Sequence, residues 1–264
     1  VLRWNNERAP IWIRVDRDPP DPPAEAGWVP GTARMPEGFR PAEEERFRDG
    51  SWTAQDPSEA LVGLLAPETE EGLILDLCAA PGTKTSHLAA RYGAARVLAM
   101  DRSRSRLHLL RETLERVDRP VDLLLGDAQA VPFRPGEAAG VLVDAPCSAL
   151  GVLRRRVDAR WNVREGDLRR HRARQGRILD EASALPRPGG WLLYSVCSTE
   201  PEETTHVRRR FLARHSDYRP GRLPAFVAKE LDPAAAREGI VRILPGERGC
   251  DGVFAFLVER KETR

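Results

Sequence analysis

The chain has 264 residues, 41% hydrophobic and 31% charged, with a formal net charge of +2 at pH 7; that length admits one large α/β domain with a smaller attachment. No run approaches the roughly 18 apolar residues that span a bilayer, and no signal-peptide pattern opens the sequence. The four cysteines, Cys78, Cys147, Cys197 and Cys250, form no CxxC or Cys/His cluster, which argues against a disulfide framework or a structural zinc; the expectation is a cytoplasmic monomer with reduced thiols and no metal.

Residues 1–50 are rich in proline, acid and arginine, with one short β-like run, "IWIRV" (Ile11 to Val15). "DPPDPPAEAG" is expected to be irregular, because proline lacks a donor and fixes φ. These residues are read as a small N-terminal α+β unit, and 51–264 as a separate, larger domain. There "LILDLC" (Leu73 to Cys78) is a strand, "TKTSHLAARYG" a helix closed by glycine, and "ARVLAMD" a second strand. "SRSRLHLLRETLERV" follows as an amphipathic helix, "VDLLLGD" and "GVLVDAP" as strands three and four. An Arg-rich helix over Asp167–Leu185 leads to a fifth strand, "GGWLLYSVCS", then to a helix in "PEETTHVRRRFLARH", with "GVFAFLVER" as a final strand. Alternating strands and helices predict a doubly wound, mostly parallel sheet, whose ligands bind at the carboxyl ends of the strands. Asp76, Cys78, Asp101, Asp127, Asp144, Cys147, Ser195 and Cys197 all fall at those ends.

The turn "DLCAAPGTKT" (Asp76 to Thr85) joins a strand to a helix through small residues, and the helix start offers free N–H groups. A Walker loop is excluded, since Thr83 stands where glycine must precede Lys84, and a dinucleotide fingerprint lacks its other glycines beside Gly82. The remaining candidate is an S-adenosylmethionine site, in which Asp101 accepts the ribose hydroxyls and Asp127 meets the adenine amine. An isolated acid of this kind is more often a helix cap; three in succession point to a nucleoside.

"VDAPCSALG" and "YSVCSTEPEE" place two cysteines at neighbouring strand ends. Carbon 5 of cytosine becomes nucleophilic only after a thiolate adds at carbon 6, which demands a cysteine, a group at the N3/amino edge and an extruded base. Asp144 suits the base edge, and either Cys147 or Cys197 suits the attack. Only three of the 42 basic residues are lysines, Lys84, Lys229 and Lys261. The run Arg154, Arg155, Arg156 directly follows the Pro-Cys loop and is the candidate RNA contact, arginine being suited to phosphate.

With these motifs, and with "NNERAPIWIRV", "WTAQDPSEA" and "DGVFAFLV", the sequence resembles the RNA 5-methylcytosine methyltransferases of the Nol/Nop/Sun family, in particular its bacterial branch acting on small-subunit rRNA. The resemblance implies a class I S-adenosylmethionine-dependent fold, Rossmann-like with a seven-stranded, mostly parallel sheet, and an RNA-binding-like unit over 1–50. It implies that Cys78, Ala79, Ala80, Pro81, Gly82, Thr83, Lys84 and Arg106 belong to the cofactor site, with Asp101 on the ribose, Asp127 near the adenine and Asp144 near the methyl and target base. It makes Cys197 the nucleophile and Cys147 the residue assisting release. The family usually has glycine at Thr83, and usually carries an upstream helical RNA-binding domain; with Val as first residue, the chain reads as part of a longer protein. Competing readings are a DNA cytosine methyltransferase attacking through Cys147, a tRNA or other RNA substrate, and a non-catalytic ribosome assembly factor.

Overall fold

The computed structural model describes residues 1–20, 24–230 and 232–262. A short helix α1 (Leu2–Asn6) leads to strands β1 (Trp12–Val15), β2 (Glu25–Ala26) and β3 (Thr32–Arg34), then helix α2 (Glu45–Arg48) and strand β4 (Trp52–Ala54). The four strands form one antiparallel sheet in the order β2-β3-β1-β4, around Ile13, Ala33, Met35 and Trp52. Strands of two to four residues are too short to show a period, so only β1 was legible. The proline stretch is not wholly irregular, because Glu25–Ala26 pairs with β3; residues 21–23 lie outside the described residues. A boundary after residue 50 falls inside this sheet, since Ile13 pairs with Ala54 and Val15 with Trp52.

The larger unit follows as α3 (Pro57–Leu65), β5 (Leu73–Asp76), α4 (Thr83–Tyr92), β6 (Val97–Asp101), α5 (Arg104–Arg116), β7 (Asp122–Leu125) and β8 (Ala138–Asp144). Then come α6 (Ala159–Asn162), α7 (Glu165–Ala182), β9 (Pro186–Val196), α8 (Thr205–Arg214), β10 (Tyr218–Pro220), α9 (Ala225–Glu230), α10 (Pro233–Arg237), β11 (Ile240–Ile243) and β12 (Val253–Arg260). The sheet runs β10-β12-β9-β8-β5-β6-β7, with β11 added on β12. Seven strands thus lie along the sheet as expected, and β11 is an eighth. Strands β7, β6, β5, β8 and β9 are parallel, while β12 runs antiparallel to β9: this is the class I methyltransferase-type Rossmann-like arrangement.

Strand β8 is buried from Ala138 to Val143, and β9 from Gly190 to Val196, as expected where helices cover both faces of a sheet. The chain moves outward from β5 to β6 and β7, then returns to lay β8 on the other side of β5. The order therefore reverses between β5 and β8, and a crevice opens beyond their carboxyl ends. Among the described residues, no helix is long and apolar enough to cross a membrane, and no three His, Cys, Asp or Glu side chains are grouped to hold a metal.

Candidate active site

After β5 the chain makes a tight turn into α4. Gly82 has φ +110°, and a Cβ there would stand 2.7 Å from Leu110 Cδ1, so both backbone and packing demand glycine. Thr83 already belongs to α4, which is why the residue after Gly82 has no need of glycine. Its carbonyl accepts from Arg14 Nη1 at 2.8 Å, so the N-terminal sheet is tied to the turn. The Ala80 N–H donates to Asp101 Oδ2 at 3.3 Å, and the Ser103 N–H to Asp101 Oδ1 at 3.0 Å. Arg106 lies 3.7 Å from Asp101 Oδ2 and donates to the Ala80 carbonyl.

A cleft of about 280 Å³ opens in front of this turn, lined by Leu77, Cys78, Asp101, Arg106, Asp127, Pro146 and Arg174 among others. Asp127 is exposed, and the backbone N–H of Gln129 is the first cause that holds its carboxyl below the ordinary range. Ala79, Ala80, Pro81 and Gly82 form the turn behind the cleft rather than its wall. Asp76 is fully buried; its Oδ2 accepts from Thr85 Oγ1 at 2.8 Å, while its Oδ1 has no partner. Burial, opposed by the Thr85 hydrogen bond and aided by Asp144, pushes its carboxyl up to about 7. The Asp101 and Asp127 carboxylates in the wall of this cleft suit a ligand that carries hydroxyl and amine donors.

Lys84 and Asp144 are not part of the cleft wall and pair with each other, Nζ to Oδ2 at 2.9 Å, with Glu59 at 3.5 Å. Burial opposes the Lys84 charge, but Asp144 and then Glu59 outweigh it and hold the ammonium well above its ordinary range. Asp144 also accepts from Ser195 Oγ at 2.6 Å, its neighbour across the β8–β9 pair.

Beyond these strand ends the two cysteine loops run side by side, with Ala145 N–H bonded to the Ser195 carbonyl and Gly151 N–H to the Cys197 carbonyl. Cys147 Sγ lies 3.4 Å from Cys197 Sγ, both half-buried. The hydrogen bond with Cys197, followed by burial, raises the Cys147 thiol far above its ordinary value. Cys78 at the cleft floor is likewise held as a thiol, chiefly by burial.

Within the Arg154–Arg156 run, Arg154 is a correction to the sequence reading. Arg154 is 8% exposed, its guanidinium carbon 3.7 Å from the Trp4 ring centroid. It donates to the Arg8 carbonyl. Arg155 pairs with Asp56 at 3.0 Å and with Asp251. Both join the loop to the N-terminal unit and to the segment before β12, but of the three only Arg154 is buried; Arg155 and Arg156 are exposed, Arg156 beside Asp158.

A family model described as "16S rRNA methyltransferase RsmB/F" matches residues 62–258. The chain belongs to this family. The protein named ribosomal RNA small subunit methyltransferase B from Cronobacter sakazakii is 38% identical over 96% of the chain and 60% of its own length; that from Sodalis glossinidius is 38% identical over 100% and 62%. The chain thus spans about three fifths of these relatives. Among solved structures, PH0851 is 28% identical with a TM-score of 0.87, covering 98% of this chain and 61% of that one. NSun6 from Pyrococcus horikoshii, solved with SFG, is 25% identical with a TM-score of 0.66, covering 84% and 56%.

Sequence reading of this family member missed Glu59, Gln175 and Glu203. Glu203 is fully buried and joins both cysteine loops, and the signal was the repeated Cys-Ser pair, at 147–148 and 197–198, with a following "PEE". Nothing in the spacing marked Gln175, which reaches the Pro146 carbonyl from α7 at 3.1 Å.

Proposed function

We propose that the chain is the catalytic part of an enzyme that methylates carbon 5 of a cytosine in RNA, with small-subunit rRNA as the target class and S-adenosylmethionine as the methyl donor. The observation that carries this reading is the contact of Cys147 and Cys197 at 3.4 Å, beside Asp144 and at the carboxyl end of the strands flanking the switch point. One cysteine would serve many chemistries; two in contact next to a fixed carboxylate suit addition to a pyrimidine and its later elimination.

S-adenosylmethionine supplies, when bound, the electrophilic methyl that an activated carbon 5 accepts. Asp101 and Arg106 would hold its ribose, Asp127 its adenine and Asp76 its ammonium, with Cys78 in the wall and the Ala79–Gly82 turn supporting it from behind. Asp144, fixed by Lys84 and Ser195, accepts from the exocyclic amine of an extruded cytosine. The Cys197 thiolate forms a bond to carbon 6, and the ring electrons move to carbon 5. In release, a base takes the carbon 5 proton, the double bond re-forms and the Cys197–carbon 6 bond breaks. Cys147, which keeps its proton, donates to the departing Cys197 sulfur.

Bisulfite mapping of ribosomal and transfer RNA from cells lacking the gene tests this. Loss of one or more 5-methylcytosines from small-subunit rRNA is expected; an unchanged map in both RNAs contradicts the proposal.

A further inference from the structure

Glu203 is 0% exposed and sits in the turn between β9 and α8. Its Oε1 accepts from the Ser148 N–H at 2.9 Å and from Gln175 Nε2 at 3.1 Å. Its Oε2 accepts from Ser198 Oγ at 2.6 Å and from Ser148 Oγ. The Tyr194 hydroxyl donates to its main-chain carbonyl at 2.8 Å. One carboxylate therefore holds the residue after each cysteine, and Gln175 brings α7 and the Pro146 carbonyl into the same knot. A buried charge is tolerated only when its lone pairs are satisfied, and here four donors converge on two oxygens.

The knot is lopsided. Two of the four donors come from Ser148, on the Cys147 side, and one from Ser198. On the other side, the Lys84 ammonium of α4 has an electrostatic interaction with Cys197, smaller than those with Asp144 and Glu59. Tyr194 of β9 and Asp144 of β8 complete the surroundings, the tyrosine held neutral chiefly by burial. A negative carboxylate on one side and an ammonium on the other make the two sulfurs inequivalent although they touch.

We propose that Glu203 is a positioning residue that clamps the two cysteine loops together and keeps the proton shared by the sulfurs on Cys147, so that Cys197 is the nucleophile. This rests on the reading of the pair as the reacting sulfurs. The field acts in the stated direction: Glu203 is among the groups that raise the Cys147 thiol, after the Cys197 hydrogen bond and burial. Glu203 touches no substrate; it acts through the sulfurs.

The test is site-resolved alkylation of the purified chain by iodoacetamide, with each cysteine read by mass spectrometry across pH. It needs no RNA and no turnover, so it fails or succeeds apart from the methylation reading. In the native protein Cys197 is expected to label first and at lower pH. In Glu203→Gln, which keeps the size but loses the charge and turns one acceptor oxygen into an amide donor, the Cys197-to-Cys147 labelling ratio near neutral pH is expected to fall by about tenfold, the effect of one pKa unit. Glu203→Asp is expected to restore at least half of the native preference. An unchanged ratio in folded Glu203→Gln overturns the proposal. Should that variant not fold, the native protein decides alone: Cys197 labelled ahead of Cys147 is the expected order, and the reverse order or a common pH midpoint overturns the proposal.

Discussion

The Lys84 ammonium stands 2.9 Å from the Asp144 carboxylate, joining the helix that follows the first strand of the parallel sheet to the end of the strand beside it. Lys84 carries its charge throughout the working pH range, and Asp144 is further fixed by Ser195. A carboxylate held in this way needs no reorganisation when a base arrives. Asp144→Asn is expected to lower kcat by on the order of 10²–10³, with a much smaller change in S-adenosylmethionine affinity by calorimetry. Equal losses in both would place Asp144 in cofactor binding alone.

Asp101 is 2% exposed and already accepts from the Ala80 and Ser103 N–H groups, so its orientation is set before a ribose arrives. Asp101→Ala is expected to weaken S-adenosylmethionine binding by about 1.5–3 kcal/mol, roughly ten- to a hundredfold in Kd. An unchanged Kd would refute the ribose contact.

On the proposed reading, in which Asp76 holds the cofactor's ammonium, its carboxyl, pushed up to about 7 chiefly by burial, would give cofactor binding a pH dependence. Below that value the carboxyl is mostly protonated, and an ammonium must displace the proton. S-adenosylmethionine affinity is therefore expected to rise with pH, by up to about tenfold per unit, and to level off above 7. Fold stability has the opposite sign. A raised acid contributes stability that is fully present below its unfolded value near 3.8 and is lost as pH rises through about 7. Titration calorimetry across pH reads the first effect, and its absence in Asp76→Asn attributes it.

Arg14 and Asp16 form a buried pair at 3.0 Å, and Arg14 also donates to Gln55, Ser86 and the Thr83 carbonyl. Removing Arg14 leaves Asp16 with Arg119 at 2.6 Å and Thr53, and takes the donor from buried Gln55 Oε1. Arg14→Ala is expected to cost about 3–5 kcal/mol in urea unfolding; a loss under about 1 kcal/mol would show that the N-terminal sheet does not brace the turn.

The α/β body was legible because its strands are long apolar runs ending in acids, a pattern set by burial on both faces. The N-terminal sheet was not, because strands as short as Glu25–Ala26 carry no period, and its Arg14 is inward-facing only because a second unit packs on it. The strand-end residues around the turn and the cysteines were readable one by one. Their partners were not: Glu203 and Gln175 reach the cysteine loops from elements adjacent only in three dimensions. Arg154 misled for the same reason, since charge in a loop reads as surface until Trp4 is seen against it.

The most direct measurement is a denaturing gel of the chain incubated with S-adenosylmethionine and small-subunit rRNA, comparing Cys147→Ala with Cys197→Ala. The sulfur contact and the charges around it lead to one outcome: Cys147→Ala accumulates a covalent RNA–protein band, and Cys197→Ala forms none while still binding the cofactor. A band in Cys197→Ala and none in Cys147→Ala, or native turnover by Cys197→Ala, would contradict Cys197 as the attacking sulfur.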